Sequence, residues 1–210
     1  MNSGARLESV AQKPETQRMR LNLPTILTLG RVAVIPLVLI LFFVRWEQAR
    51  HVASLLFIAA SITDWLDGYL ARRWNQTSGF GAFLDPVADK LLVAISLVML
   101  LQDDSTRIMA VLAAIIIGRE ITISALREWL AELGQRRRVA VSWVGKFKTG
   151  FQMTSISLLL WKTPIGPLPI HRIGFVLLAA AAVLTLWSMV NYLRAAWPVF
   201  AGRMGTDQSE

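Results

Sequence analysis

With 210 residues, 54% of them hydrophobic and only 17% charged, and a mean hydropathy of +0.49, the chain has the composition of a bilayer-embedded protein rather than of an ordinary soluble domain. Its length admits about six helical spans of roughly 20 apolar residues each and leaves no room for a separate soluble domain. The lack of cysteine excludes disulfides and thiolate chemistry, the two histidines (His51 and His171, both expected in loops) make a poor zinc site, and the net charge of +8 lies beside apolar segments without a nucleic-acid recognition motif, so it reads as topology and headgroup contact.

Residues 1–20 are polar, carry a Pro and lack apolar periodicity, which predicts a disordered or surface-lying extension. No short apolar run with a small-residue cleavage site follows their charges, so no signal peptide is expected. Apolar stretches then fall at 25–44, 52–70, 83–101, 108–130, 149–162 and 173–196, separated by connections such as RWEQARH, RRWNQTSGFG, QDDSTR and TPIGPLPIH, with a polar tail from 198 to 210. Runs of this length satisfy their own backbone hydrogen bonds in lipid as helices, whereas barrel strands are about 10 residues long and alternate in polarity. The expected fold is all-α: one membrane domain over 21–197, with six transmembrane helices around an intramembrane polar cavity open to the cytosol.

Six spans place both termini on one side. That side carries thirteen Lys and Arg, including Arg72, Arg73, Arg136, Arg137, Arg138, Lys146 and Lys148, against five on the other: Arg45, Arg50, Arg107, Lys162 and Arg172. Positive charge stays inside, so both termini are expected in the cytosol. Trp46, Trp74, Trp129, Trp143, Trp161 and Trp197 fall near span ends, where interfacial anchors belong.

An ionisable side chain inside a span costs at least about 2.5 kcal/mol, so such residues usually face a polar interior and serve a purpose. Here they are Arg31 in the first span, Asp64 and Asp67 in the second, Asp85, Asp89 and Lys90 in the third, and Arg119, Glu120, Arg127 and Glu128 in the fourth. At 1.5 Å per residue, Asp64 lies roughly 9 Å from the inner end of its span and Asp89 roughly 9 Å from the inner start of the next, at one depth. The three- and four-residue spacings set each pair on one helix face. Four carboxylates in one low-dielectric pocket need cations, and an all-oxygen site suits Mg²⁺ or Mn²⁺, as a two-metal centre for phosphoryl transfer. The plainer alternative pairs them structurally with Arg72, Lys90, Arg119 and Arg127, but structure alone rarely requires so many costly groups together.

The stretch Asp64-Trp-Leu-Asp67-Gly68-Tyr-Leu-Ala71-Arg72, followed after eight residues by Gly81-Ala-Phe-Leu-Asp85-Pro-Val-Ala-Asp89, resembles the signature of the CDP-alcohol phosphatidyltransferase family at every fixed position. The resemblance implies two divalent ions held by Asp64, Asp67, Asp85 and Asp89, with Asp89 also taking the proton of the incoming alcohol. It implies that Gly68, Ala71 and Gly81 let the cytidine approach the backbone, and that Arg72 and Ser78 contact the CDP part. Thr28 and Arg31, at the inner end of the first span, are expected to line the same pocket.

Arg119 and Arg127, eight apart and about 80° around their helix, flank one cavity, and a cationic pocket beside the aspartates implies an anionic acceptor. From residue 20 to 197 the chain resembles one bacterial branch of the family, for which the implied substrates are CDP-diacylglycerol and glycerol 3-phosphate, the acceptor phosphate meeting Arg119, Arg127, Lys146 and Lys148. Glu120 and Glu128 are expected to pair with the arginines and orient them. The resemblance further implies a homodimer in the inner membrane of a bacterium, with the active site at the cytosolic face. Inositol phosphate, or phosphatidylglycerol in a cardiolipin-forming reaction, stands as an alternative acceptor. A cation or proton transporter is the rival of another class, but such proteins keep their sites near the midplane and often carry inverted repeats, of which the sequence shows none.

Overall fold

The computed structural model describes residues 23–74, 79–134 and 143–204, with side chains left aside at 23–25, 65, 67–72, 74, 79–80, 82, 143–146 and 199–204. The expected extension at 1–20, the tip of the polar tail and Arg136 to Arg138 lie outside the described residues. Six helices follow one another: α1 (Leu23–Phe43), α2 (Ala49–Trp74), α3 (Gly79–Asp103), α4 (Arg107–Glu132), α5 (Trp143–Trp161) and α6 (Ile170–Met204). Each coincides with one of the six apolar stretches and extends past it at one or both ends, except that α1 and α5 stop one residue short of the expected C-terminal limits at 44 and 162. Among the described residues no strand forms; the one β-type pairing is an isolated bridge between Ile165 and Leu168 in the α5–α6 connection.

Helix ends follow local chemistry. Thr106 caps α4 by accepting a hydrogen bond from the Met109 N–H (3.2 Å), and Gly134, at φ +68°, turns the chain out of α4 in the left-handed conformation that glycine adopts without a steric cost. His51 and His171 were expected in loops; both sit in the first turn of a helix, α2 and α6. Their imidazoles are polar enough to end an apolar run, yet a polar first turn still closes helical hydrogen bonds. Pro36, Pro86 and Pro198 lie inside α1, α3 and α6 without ending them.

Every helix contributes to one core, among them Ile35, Phe57, Leu97, Ile116, Ile156 and Leu178. α5 packs most closely on α6, and α1 fits against both α2 and α3. At Gly174 an added Cβ would lie 3.0 Å from Leu159 Cγ, so the α5–α6 approach depends on a residue without a side chain. Ser155 Oγ donates to the Gly174 carbonyl (2.6 Å) and Ser54 Oγ to the Ser157 carbonyl (2.8 Å), buried bonds that tie α5 to α6 and α2 to α5. In a lipid surrounding, such close packing and hydrogen bonding hold helices together, because tails outside are as apolar as the core.

Large apolar side chains are exposed on every helix, among them Ile40, Leu55, Phe83, Ile121, Phe147 and Val183. Helices α1, α4 and α6 contain segments long and apolar enough to cross a membrane, at Ile26–Phe43, Arg107–Glu132 and Ile170–Pro198. These features give the chain membrane character.

Candidate active site

The aspartates come from the C-terminal part of α2 and the N-terminal part of α3, and α1 lies alongside both. Arg31, its side chain wholly buried, sets one guanidinium nitrogen 2.7 Å from Asp64 Oδ1 and 3.6 Å from Asp89 Oδ1. Three residues earlier on the same helix face, Thr28 donates a short hydrogen bond to Asp85 Oδ1. Thus α1 gathers Asp64, Asp85 and Asp89 from two other helices. Asp64 and Asp89 share the Arg31 nitrogen while Asp85 bonds Thr28 one turn away, so Thr28 and Arg31 touch the acids themselves. Gly81 is buried at the start of α3. The side chains of Asp67, Gly68, Ala71 and Arg72, and all of Ser78, lie outside the described residues.

One nitrogen can reach both Asp64 and Asp89 only if their carboxylate oxygens face a common point of positive charge. Hard anionic oxygens from two helices, aimed at such a point, are the donor chemistry that Mg²⁺ and Mn²⁺ accept. Among the described residues no three acidic or histidine side chains stand together as a complete ligand set. The donor set fits a divalent ion in kind, with Asp67 as the further acid that the motif supplies.

Beside the aspartates, α4 and α5 contribute cations held by a single carboxylate. Glu120 Oε1 lies 2.6 Å from Arg119 Nη1 and 2.6 Å from Lys148 Nζ, and Arg119 Nη2 reaches Ser188 Oγ of α6 at 3.5 Å. Arg119 and Lys148 are both buried. The expectation that Glu120 orients an arginine holds, and it orients Lys148 as well. Arg127 is exposed, its guanidinium carbon 6.0 Å from the centre of the Tyr192 ring. The side chain of Lys146 lies outside the described residues.

A cavity of about 560 Å³ opens between these groups, lined by Lys90, Arg119, Glu120, Arg127, Glu128 and Tyr192 among others. A smaller one of about 100 Å³ is lined by Asp89, Lys90, Glu120, Thr149, Gln152 and Met153. Lys90 and Glu120 belong to both, so the cationic cavity adjoins the chamber at Asp89. The arrangement suits an anionic molecule whose charged end sits among guanidinium groups while its other end reaches a carboxylate able to accept a proton. Sequence reasoning considered Lys90 only as a structural ion-pair partner of the aspartates, and it passed over Thr149, Gln152, Ser188 and Tyr192. The signal for Gln152 was present: an amide within an otherwise apolar stretch is as much out of place in lipid as a charge.

Residues 21–187 match the CDP-alcohol phosphatidyltransferase family. Over 178 residues, 85% of this chain and 96% of the relative, the sequence is 53% identical to a protein of Salmonella choleraesuis (strain SC-B67) named CDP-diacylglycerol--glycerol-3-phosphate 3-phosphatidyltransferase. At 52% identity and the same coverage it is similar to proteins of that name from Shigella flexneri and Escherichia coli (strain K12). With the family match running through all the helices that carry the site, and relatives more than half identical over most of the chain, the chain belongs to the CDP-alcohol phosphatidyltransferase family.

Proposed function

We propose that this protein transfers the phosphatidyl group of CDP-diacylglycerol to glycerol 3-phosphate, giving phosphatidylglycerophosphate and CMP. The observation that carries this reading is the cavity lined by Arg119, Arg127 and Lys90 and adjoining Asp89, in a chain 53% identical to relatives named for that reaction. A cationic recess beside the aspartates favours a phosphate-bearing acceptor over choline, ethanolamine or serine.

In this reading the acceptor phosphate rests among Arg119, Arg127, Lys146 and Lys148, with Glu120 holding Arg119 and Lys148 in place. Asp89 takes the proton from the 1-hydroxyl as its oxygen attacks the β-phosphorus, and the bond from that phosphorus to the CMP oxygen breaks in line. Arg72 and Ser78 contact the CDP part, and Gly68, Ala71 and Gly81 leave room for the cytidine. Divalent ions, Mg²⁺ or Mn²⁺ and two by the motif, would be held by Asp64, Asp67, Asp85 and Asp89 and would neutralise charge on the reacting phosphates. Arg31 and Thr28 keep the acids of α2 and α3 facing one another.

All six helices span the bilayer in this account. At 1.5 Å per residue the 26 and 25 residues of α2 and α3 exceed a core of roughly 30 Å, the 19 of α5 fall within the roughly 17–25 that a span takes, and the polar groups that interrupt these helices are ones they bring to the site. The Lys/Arg asymmetry puts both termini and the active site on the cytosolic side of a bacterial inner membrane. Two copies are expected to associate, as the family resemblance implies.

The test is an acceptor panel with purified protein, CDP-diacylglycerol and Mg²⁺. Glycerol 3-phosphate should release CMP and yield phosphatidylglycerophosphate, with inositol phosphate and phosphatidylglycerol far behind. Absence of CMP release with glycerol 3-phosphate, or a clear preference for another acceptor, would remove the proposal.

A further inference from the structure

The chamber at Asp89 is lined by a side chain whose amide oxygen has no hydrogen-bond partner among the described residues. Gln152, on α5, is 3% exposed, and its Oε1 is buried without a hydrogen-bond partner among the described residues. It lies on the wall that also bears Asp89, Lys90, Glu120, Thr149 and Met153. Thr149 precedes Gln152 by three residues, so α5 offers two neighbouring polar side chains to one small space. An amide oxygen buried in a bundle core is unfavourable unless something bonds it, and an apolar residue of the same length would pack there at less cost. What enters the chamber can supply the donor that the described residues do not.

We infer that Gln152 reads the middle hydroxyl of the acceptor, accepting its hydrogen bond at Oε1 and so selecting a glycerol backbone over a plain three-carbon one. The inference rests on the proposed acceptor and deepens it. The chamber lies between the base and the cationic cavity, with Lys90 and Glu120 common to both spaces. An acceptor with its phosphate among the arginines and its reacting hydroxyl at Asp89 has to run its carbon chain through the space between. In glycerol 3-phosphate the carbon between those two ends carries the secondary hydroxyl. A buried amide oxygen left unpaired carries a penalty, which falls on an acceptor that offers only a methylene in place of the hydroxyl.

The experiment compares kcat/KM for glycerol 3-phosphate and for 3-hydroxypropyl phosphate, which keeps the phosphate and the reacting hydroxyl but lacks the middle one, by CMP release from the full-length protein. The wild-type protein is expected to favour glycerol 3-phosphate by roughly 10- to 100-fold. In Gln152→Met, which keeps the length of the side chain, that ratio should fall to near one because use of glycerol 3-phosphate declines. If the Met variant does not fold, Gln152→Asn, whose amide ends one methylene short, serves for the same comparison and should lower the ratio. A wild-type ratio near one, or a variant that retains the wild-type ratio, would overturn the role of Gln152 while leaving the acceptor assignment standing. No CMP release with glycerol 3-phosphate in the wild-type protein would overturn both.

Discussion

The two ends of α3 treat their carboxylates differently. At its C-terminal end Asp103 is enclosed by cations: Arg50 Nη2 lies 2.6 Å from Oδ1, and Lys162 Nζ lies 3.0 Å from Oδ1 and 2.8 Å from Oδ2. Arg50 also stacks 3.9 Å over the Phe42 ring, and nearby His51 bonds Thr163 at 2.7 Å and meets the Trp161 ring edge-on. One carboxylate thereby ties the start of α2 and the end of α5 to the end of α3. In the N-terminal half of the same helix, Asp85 takes its hydrogen bond from a neutral hydroxyl, Asp89 shares one guanidinium nitrogen with Asp64, and a chamber opens alongside. An acid with both oxygens bonded to cations acts as a fastener. An acid that faces a cavity and shares its cation with another can take on a ligand or a proton.

That contrast predicts unequal effects for superficially similar changes. Asp89→Asn should lower turnover about 10³-fold or more while the protein remains helical and elutes as the wild type does, since an amide cannot accept the proton. Full activity in this variant would remove the assigned base. Arg31→Met should destabilise by about 1–3 kcal/mol, discounted from a wholly buried pair because Asp64 and Asp89 are each more than a third exposed. Thermal unfolding should also show Mg²⁺ recovering more stability in this variant than in the wild type, because a divalent ion can replace the charge that holds the two acids together. Equal effects of Mg²⁺ on both proteins would count against the shared site.

Arg119→Ala should chiefly raise KM for the acceptor, by roughly 10- to 100-fold, with KM for CDP-diacylglycerol little changed. A defect confined to CDP-diacylglycerol would mean that the cavity serves the other substrate. The smallest effect belongs to the opposite end. Asp103→Asn should leave both KM values alone and cost no more than about 1 kcal/mol, as expected for a part-exposed ion pair. Burial pushes the Asp103 carboxyl upward, but the Lys162 hydrogen bond and the charges of Arg50 and Lys162 outweigh it and hold the group below its ordinary value. A carboxylate depressed in the folded state contributes stability above its unfolded pKa and loses it as the pH falls through the folded value. The stability gap between wild type and Asp103→Asn should therefore be complete at neutral pH and close only as the pH falls below about 4. A gap that instead widens in acid would contradict this ion pair.

Much of this was legible in the sequence because lipid makes polarity informative. The six apolar stretches marked six helices, and Asp64, Asp85 and Asp89 stood out as costs that structure alone does not require. Helix boundaries were less legible: α2 begins before His51 and continues through Arg73 to Trp74, since a helix extends past its apolar stretch wherever polar residues can still close the backbone ladder. Pairing was least legible. Nothing in the local pattern of α1 states that Arg31 reaches both α2 and α3, or that Glu120 serves Lys148 twenty-eight residues away, because those bonds depend on how the helices cross. Gln152 was visible yet overlooked, as it carries no charge and matches no part of the signature.

The central claim is that acids of α2 and α3 form one divalent-ion site, and Mn²⁺ binding followed by electron paramagnetic resonance on the purified protein tests it most directly. The account predicts saturable binding in the wild type and in Asp103→Asn, and its loss in both Asp64→Asn and Asp89→Asn. Binding that survives both of these substitutions at wild-type strength would contradict it.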